Sequence, residues 1–229
     1  MDRKIAIIGG SNLFESKVLH DAKQETIRTP HGAVTAYYTG RAMLIQRHGL
    51  QNDPPHKINH KANLSAVKMR NIDRVFAINS VGSLKREIEP GTCCLVRDFI
   101  SFYNIPTIDT EHRIHITPSM SIEIGAEVKA CVKCQLSDVV YWQTTGPRFE
   151  TPAEIRLMAN FADVVGMTLG SEATIACELG LEYASVCMVD NYANGIAPDL
   201  LDFDSFTKLV EGNQAEMDAF LEELLQCLC

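Results

Sequence analysis

The stretch DVVGMTLGSEATIACELGLEYASVCMV, residues 163–189, decides the fold class. Its first four residues and residues 183–189 are short, largely apolar runs of the kind that form buried strands. Residues 171–179 between them have helical spacing, and Gly180 ends that helix. A strand, a helix and a second strand in this order predict an α/β fold.

The same alternation continues on both sides of this stretch. Strands are predicted at 5–8, 34–38, 43–46, 74–79, 93–96 and 139–143, and helices at 58–69, 121–134, 152–160 and 203–228. The chain contains no repeat, linker or low-complexity tract, so we expect one domain over residues 1–229: a central mixed β-sheet flanked by helices. The long irregular stretch 101–119 is typical of a functional or interface loop.

Composition excludes several classes of protein. The 229 residues are 46% hydrophobic, enough for a substantial core, and the net charge of −8 argues against a nucleic-acid binder. No stretch approaches the roughly 20 apolar residues that span a bilayer. Residues 1–4 and the apolar run 5–8 resemble the start of a signal peptide, but Gly9 and Gly10 end that run too early. We therefore expect a first strand and a soluble, cytoplasmic protein without membrane partners.

The eight cysteines lie mostly in apolar runs, where a reduced cysteine behaves as a small hydrophobic residue. A disulfide framework is not expected at this size. Cys131 and Cys134 have the spacing of half a zinc site or a redox pair, yet no second pair accompanies them, so a structural role is predicted and no metal site. Whether Cys227 and Cys229 pair under oxidation stays open.

Candidate anion-binding residues follow the predicted strands, where ligands collect in open α/β sheets. The Gly-Gly-Ser turn that ends at Ser11 lets the backbone approach an oxyanion, although a plain turn is the alternative. Arg47 and His48 end an apolar strand, and a guanidinium suits a tetrahedral anion, with a surface ion pair as the alternative. Thr168 precedes a helix and could offer its hydroxyl and the helix's first amides, or simply cap that helix.

Residues 144–152, TTGPRFETP, hold an aromatic ring and a carboxylate beside a capped helix start. Phe149 suits stacking on a planar base, and Glu150 suits hydrogen bonds from ring N–H groups. The alternative is that Phe149 belongs to the core and that Glu150 interacts with the helix dipole.

In order and spacing, these motifs resemble the trimeric purine nucleoside phosphorylase family, in its methylthioadenosine and methylthioinosine phosphorylase branch. The resemblance covers nearly the whole chain. It rests on IIGGS (7–11), QRHG (46–49), KINHKAN (57–63), NSVGSL (79–84), EPG (89–91), GPRFET (146–151), GMT (166–168) and NYANG (191–195).

The resemblance implies a role for each candidate residue. Phosphate would be held by Ser11, Arg47, His48, the Ser80 amide and Thr168, and the sugar would lie against Met167. The base would be held by Phe149, Glu150 and Asn191, and His115 would reach the 5′ end of the sugar in a neighbouring subunit. Asn191, Glu150 and His48 would be the catalytic residues.

The implied activity is phosphorolysis of 6-oxopurine nucleosides, with methylthioinosine first and inosine or guanosine next. Adenine-specific relatives carry Asp, Asp and Ser where this chain has Asn191, Ala193 and Glu150. In ordinary purine nucleoside phosphorylases a histidine in the C-terminal helix region contacts the ribose 5′-hydroxyl. No histidine follows His115 in this chain, so the resemblance implies a preference for an apolar 5′ group. Phosphate would be a co-substrate without cofactor or metal, and the assembly a homotrimer or a dimer of trimers. The alternatives are methylthioadenosine phosphorolysis and a non-catalytic nucleoside-binding protein.

Overall fold

A computed structural model describes residues 4–10, 13, 16–19, 22–40, 42–113, 115–197 and 214–228. The strands are β1 Ile5–Gly9, β2 Lys23–Thr29, β3 Gly32–Thr39, β4 Ala42–Gln46, β5 Arg74–Ser83, β6 Cys93–Ile100, β7 Ser137–Gln143, β8 Val164–Gly166 and β9 Glu182–Tyr192. The helices are α1 His60–Met69, α2 Ile122–Cys131, α3 Pro152–Met158, α4 Leu169–Glu178 and α5 Gln214–Leu228. Residues 203–213 of the last predicted helix lie outside the described residues.

The strands form one mixed sheet in the order β2-β3-β4-β1-β5-β8-β7-β6-β9, and β9 also pairs with β5. Strand β1 runs parallel to both β4 and β5, whereas β2, β3 and β4 are antiparallel neighbours. Because β9 pairs with both β6 and β5, strands β5 to β9 form a closed set. The α/β fold with a mixed central sheet and flanking helices is confirmed.

Two apolar layers cover the sheet because side chains alternate along each buried strand. In β1, Ala6 and Ile8 face a cluster that includes residues of α1 and α4. Ile5 and Ile7 face the opposite cluster, which includes residues of α2 and α5. Helices therefore pack against both faces of the central strands and hold these strands in place.

Strand β2 was missing from the sequence prediction. Its sequence KQETIRT has one buried residue, Ile27, and the strand lies at the edge of the sheet. A charged edge strand has no apolar run to mark it, although its charges protect the edge from pairing with another chain. The eight predicted strands are all present, and β5 and β9 extend beyond their predicted ends to Ser83 and Tyr192.

A disulfide joins Cys131, the last residue of α2, to Cys227 in α5, with 6.1 Å between the Cα atoms. The sequence left the pairing of Cys227 open and suggested Cys229 as its partner, but packing of α2 against α5 brings Cys227 to Cys131, 96 positions away. The predicted helix 121–134 also ends early, so Cys134 lies beyond it. Cys229 lies outside the described residues. Within the described part of the chain, no helix has the length and hydropathy to cross a membrane.

Candidate active site

The carboxyl ends of β1, β4 and β5 meet at one edge of the sheet, because these three strands are parallel neighbours. Gly10 follows β1, Arg47 and His48 follow β4, and Ser80 lies in the second half of β5. The Arg47 amide donates to the carbonyl of Gly9 at 2.8 Å, which ties the ends of β1 and β4 together. The sheet thus places three of the predicted anion-binding segments side by side.

Arg47 is 3% exposed and is bound mainly inside the protein. Its Nε donates to Glu172 Oε1 at 2.6 Å and its Nη2 to Glu172 Oε2 at 3.1 Å. Nη2 also donates to Asn79 Oδ1 at 3.2 Å, and Nη1 donates to the Ile78 carbonyl at 3.0 Å. Sequence analysis found Arg47 but missed Glu172, a fully buried acid in the apolar helix α4.

Glu172 is ionised and neutralises Arg47. Burial is the largest single influence and would alone raise the pKa of this carboxyl, but the Arg47 charge, the Arg47 hydrogen bonds and the nearby His60 together outweigh it and lower the pKa to about 2. The Tyr183 hydroxyl donates to Glu172 Oε2 at 2.9 Å, and His60 Nδ1 lies 3.7 Å from Oε1, too far for a hydrogen bond. Because Glu172 balances the charge of Arg47, Arg47 can offer N–H hydrogen bonds to an anion at this edge. It does not add a net positive charge there.

At Gly10 the backbone, Arg47 and His48 come together around a narrow space that a side chain at position 10 would crowd. A Cβ built there would lie 3.0 Å from Arg47 Nη1 and 3.8 Å from His48 Nε2. We call this space the Gly10 cradle, bounded by Gly10, Arg47 Nη1 and His48 Nε2. Ser80 lines the same small cavity as Gly9 and Gly10. Ser11, which the sequence also assigned to phosphate, lies outside the described residues.

His48 is held in one orientation at the cradle. Its Nδ1 is 2.6 Å from the Asp53 carbonyl, which can only accept, so Nδ1 carries the hydrogen. Burial lowers the pKa of the imidazole, and the adjacent Arg47 charge acts in the same direction. His48 is therefore neutral at pH 7, with the lone pair of Nε2 towards the cradle.

Thr168 approaches the same edge from the start of α4. Its Oγ1 accepts from Asn79 Nδ2 at 2.9 Å and makes no capping bond to its helix. The amides of Thr168 and Gly170 donate to Tyr141 Oη at 3.2 Å and Gln143 Oε1 at 2.9 Å. Side chains of β7 thus accept from two of the amides at this helix start, and anion binding by Thr168 stays a prediction.

A second group of site residues lies on the loop that follows β7. Glu150 Oε1 accepts from Thr144 Oγ1 at 2.6 Å, and Asn194 Nδ2 donates to the Glu150 carbonyl at 3.0 Å. Met167 lies against this loop, since a Cβ on Gly146 would be 2.9 Å from its sulfur. The Glu150 carboxylate is therefore oriented by its neighbours, and Met167 connects this loop to the adjacent Thr168.

Asn191 is 8% exposed and follows an irregularity in β9. Val81 pairs with Val189 but Gly82 pairs with Asn191, so Asp190 is the extra residue of a β-bulge. The Asn191 Nδ2 donates to the Tyr192 carbonyl at 2.8 Å and would lie 3.3 Å from a Cβ on Gly82. The bulge changes the side-chain alternation here, and both Asp190 and Asn191 are buried.

The structure thus brings four predicted phosphate residues to one strand edge: Arg47, His48, Ser80 and Thr168. It places Met167 against the loop of Phe149 and Glu150. His115 is exposed and lines a separate open depression with Ile105, Arg113 and Glu178. Glu172 and Tyr183 were missed; an acid in an otherwise apolar helix was the one available signal for Glu172.

Comparisons with known proteins identify the family to which the chain belongs. The sequence pattern of the Phosphorylase superfamily matches residues 4–226. The chain is 41% identical to a probable 6-oxopurine nucleoside phosphorylase of Archaeoglobus fulgidus, covering 97% of this chain and 96% of the relative. It is 35% identical to a probable S-methyl-5′-thioinosine phosphorylase of Methanocaldococcus jannaschii, covering 98% and 96%. In fold it resembles adenosine/methylthioadenosine phosphorylase of Schistosoma mansoni in complex with methylthioadenosine, with TM-score 0.80, 22% identity, and coverage of 96% and 90%.

Proposed function

The chain belongs to the phosphorylase superfamily, and from that premise we propose that it cleaves the N-glycosidic bond of 6-oxopurine nucleosides with inorganic phosphate. The products are the free base and a ribose 1-phosphate or its 5-methylthio counterpart. The observation that carries the proposal is the Gly10 cradle, where Arg47 Nη1 and His48 Nε2 converge on the glycine backbone that follows β1. The names of the two relatives support the same reaction.

In the proposed mechanism, phosphate occupies the cradle and contacts Arg47, His48, Ser80, Thr168 and Ser11. It faces C1′ of the ribose and stabilises the positive charge that develops there as the base leaves. The sugar lies against Met167. Because phosphate supplies the nucleophile and the counter-charge, the proposed reaction needs no metal or organic cofactor.

The base is proposed to lie along Phe149, between Glu150 and Asn191. With Thr144 donating to Glu150 Oε1, Oε2 can accept from the N1–H of hypoxanthine or guanine, a hydrogen that adenine lacks. The Asn191 amide can donate to N7 or to a 6-oxo oxygen and thereby stabilise the leaving base. These contacts favour 6-oxopurines, and methylthioinosine is the leading substrate because no histidine follows His115.

The proposal includes a homotrimer, or a dimer of trimers, in which His115 of each subunit reaches the 5′ pocket of its neighbour. Its exposure in the single chain is consistent with a role outside its own subunit. We also propose a cytoplasmic location, since the first apolar run forms the strand β1, paired on both edges. Purine nucleosides and phosphate are the proposed ligands.

A substrate panel tests this function. Methylthioinosine, methylthioadenosine, inosine, guanosine and adenosine are each incubated with and without phosphate, and released base is measured. We expect release only with phosphate, with kcat/KM at least about tenfold higher for methylthioinosine than for methylthioadenosine, because each mismatched polar contact costs about 1–3 kcal/mol. Equal efficiency for these two would support the methylthioadenosine alternative. Binding without any turnover would support a nucleoside-binding protein.

A further inference from the structure

The hydrogen-bonding direction of His48 has a consequence for the anion. The Asp53 carbonyl accepts from Nδ1 at 2.6 Å, so in neutral His48 the cradle receives the Nε2 lone pair. An anion oxygen opposite this lone pair is stabilised only if it carries a hydrogen to donate. With an unprotonated oxygen there, the oxygen lone pair faces the Nε2 lone pair, which is unfavourable.

The charges around His48 do not remove the need for a hydrogen on the anion oxygen that faces Nε2. Arg47 is adjacent and positive, Glu172 on α4 is negative, and the two are paired at 2.6 Å. The charge of His60 on α1 also acts on His48, and Asp53 contacts His48 through its backbone carbonyl. The ion pair leaves no net charge to attract a fully deprotonated dianion, so hydrogen-bond matching decides which oxyanion fits.

We propose that His48 makes the Gly10 cradle selective for an oxyanion that still carries a proton, so that phosphate and arsenate bind and sulfate is disfavoured. Near neutral pH phosphate keeps at least one proton and sulfate keeps none, although the two are nearly equal in size and shape. This inference rests on the proposed function, because it takes the cradle as the phosphate site. It assigns to His48 the discrimination between two otherwise similar tetrahedral anions.

The test measures binding of inorganic phosphate and sodium sulfate to the nucleoside-free protein by calorimetry. At about pH 8 we expect phosphate to bind at least about tenfold more tightly than sulfate, because sulfate brings no hydrogen for the half-buried His48 Nε2 to accept. Once the pH falls far enough below the ordinary histidine range to protonate His48 at Nε2, the imidazole can donate, so sulfate binding should tighten severalfold. Phosphate, which brings its own proton, should not gain in this way.

Two substitutions distinguish the role of His48 Nε2 as a hydrogen-bond acceptor from a merely structural role of His48. His48→Gln places a rotatable amide in the cradle that donates to either anion, so the phosphate-to-sulfate ratio should fall towards one and lose its pH dependence. His48→Asn is the second variant, since its amide can keep the bond to the Asp53 carbonyl while removing the Nε2 acceptor, and the same fall is expected. His31→Gln, in the turn between β2 and β3, is the matched control and should behave as wild type.

The outcomes separate this inference from the proposed function. Sulfate that binds wild type within about threefold of phosphate at pH 8, or a ratio unchanged in both His48 variants, overturns the inference even if phosphorolysis is observed. Selective phosphate binding that depends on His48 upholds it even if no nucleoside is cleaved. In that case the catalytic proposal fails alone.

Discussion

Arg47 carries two separable interactions, one with Glu172 and one with the cradle. Arg47→Ala would leave Glu172 buried and unpaired, at a cost of about 3–5 kcal/mol in the free energy of unfolding. Arg47→Lys keeps a positive charge for Glu172 but removes the nitrogen that faces Gly10. We therefore expect Arg47→Lys to remain folded and to raise the phosphate KM at least about tenfold, since a charge-assisted bond contributes about 1.5–3 kcal/mol.

Initial rates at varied phosphate, together with urea unfolding, test this separation. Arg70→Lys is the control, because Arg70 is paired with Glu25 on the surface and takes no part in the cradle. An Arg47→Lys protein with wild-type stability and an unchanged phosphate KM would remove Arg47 from the anion site.

In the proposed function, base selectivity depends most directly on Asn191. An Asp at this position can accept from a 6-amino group and, when protonated, donate to N7, whereas the Asn amide donates to both N7 and a 6-oxo oxygen. Asn191→Asp should therefore narrow or reverse the preference for methylthioinosine over methylthioadenosine, a change of about tenfold or more in the ratio of kcat/KM. Asn71→Asp, at an exposed position after α1, should leave that ratio as it is. A ratio unaffected by Asn191→Asp would show that another group reads position 6.

The residues predicted from the sequence lie in local motifs, whereas the residues that were missed acquire their partners only through tertiary packing. Arg47, His48, Glu150 and Asn191 belong to local motifs, whose residue types and spacing suggest a chemistry. Glu172 is 125 positions from Arg47, and only the packing of α4 beside β4 makes them partners. No local pattern specifies such a pair, so its effect on the charge of the site emerges only from the structure.

At the scale of elements, the same distinction explains which features of the strands were predicted and which were not. Buried strands such as β1 and β4 are recognisable because both faces need apolar residues. The β-bulge at Asp190 was not predicted, because it depends on the register of β9 against β5 and not on composition. The extension of both strands beyond their apolar runs is what brings Ser80 and Asn191 into the sheet.

The disulfide between α2 and α5 should contribute measurably to stability. It closes a loop of 96 residues, and restricting so long a loop in the unfolded chain typically contributes about 2–4 kcal/mol. Reduction of the wild-type protein should lower its free energy of unfolding by about this amount. The double variant Cys131→Ser/Cys227→Ser should have the lower stability under both conditions, whereas Cys177→Ser should retain the response to reduction. An equal effect of reductant on the double variant would contradict this role.

At the scale of the whole molecule, the loop over residues 101–119 is the clearest candidate for a subunit interface. Phe102, Tyr103 and Ile105 are 68%, 77% and 59% exposed. Three large apolar side chains within four positions of one loop are unusual for a surface that faces only water. His115, in the same loop, lies away from the Gly10 cradle of its own chain, in the depression it shares with Glu178. Covering this loop with a second subunit would bury the apolar side chains and carry His115 to another subunit's site.

The trimer prediction can be tested by complementation between two impaired variants. His115→Ala removes the group that a subunit lends to its neighbour, and Arg47→Lys impairs the cradle that the subunit keeps. If each site combines a cradle with a neighbour's His115, trimers reassembled from equal amounts of both variants contain about a quarter of sites with both native groups. Activity on inosine should then exceed the mean of the two separate variants, and Ile105→Glu should abolish both the recovery and the trimer in light scattering. Recovery is impossible if His115 serves its own chain, because every subunit then carries one defect. A fully active monomer would refute the shared site outright.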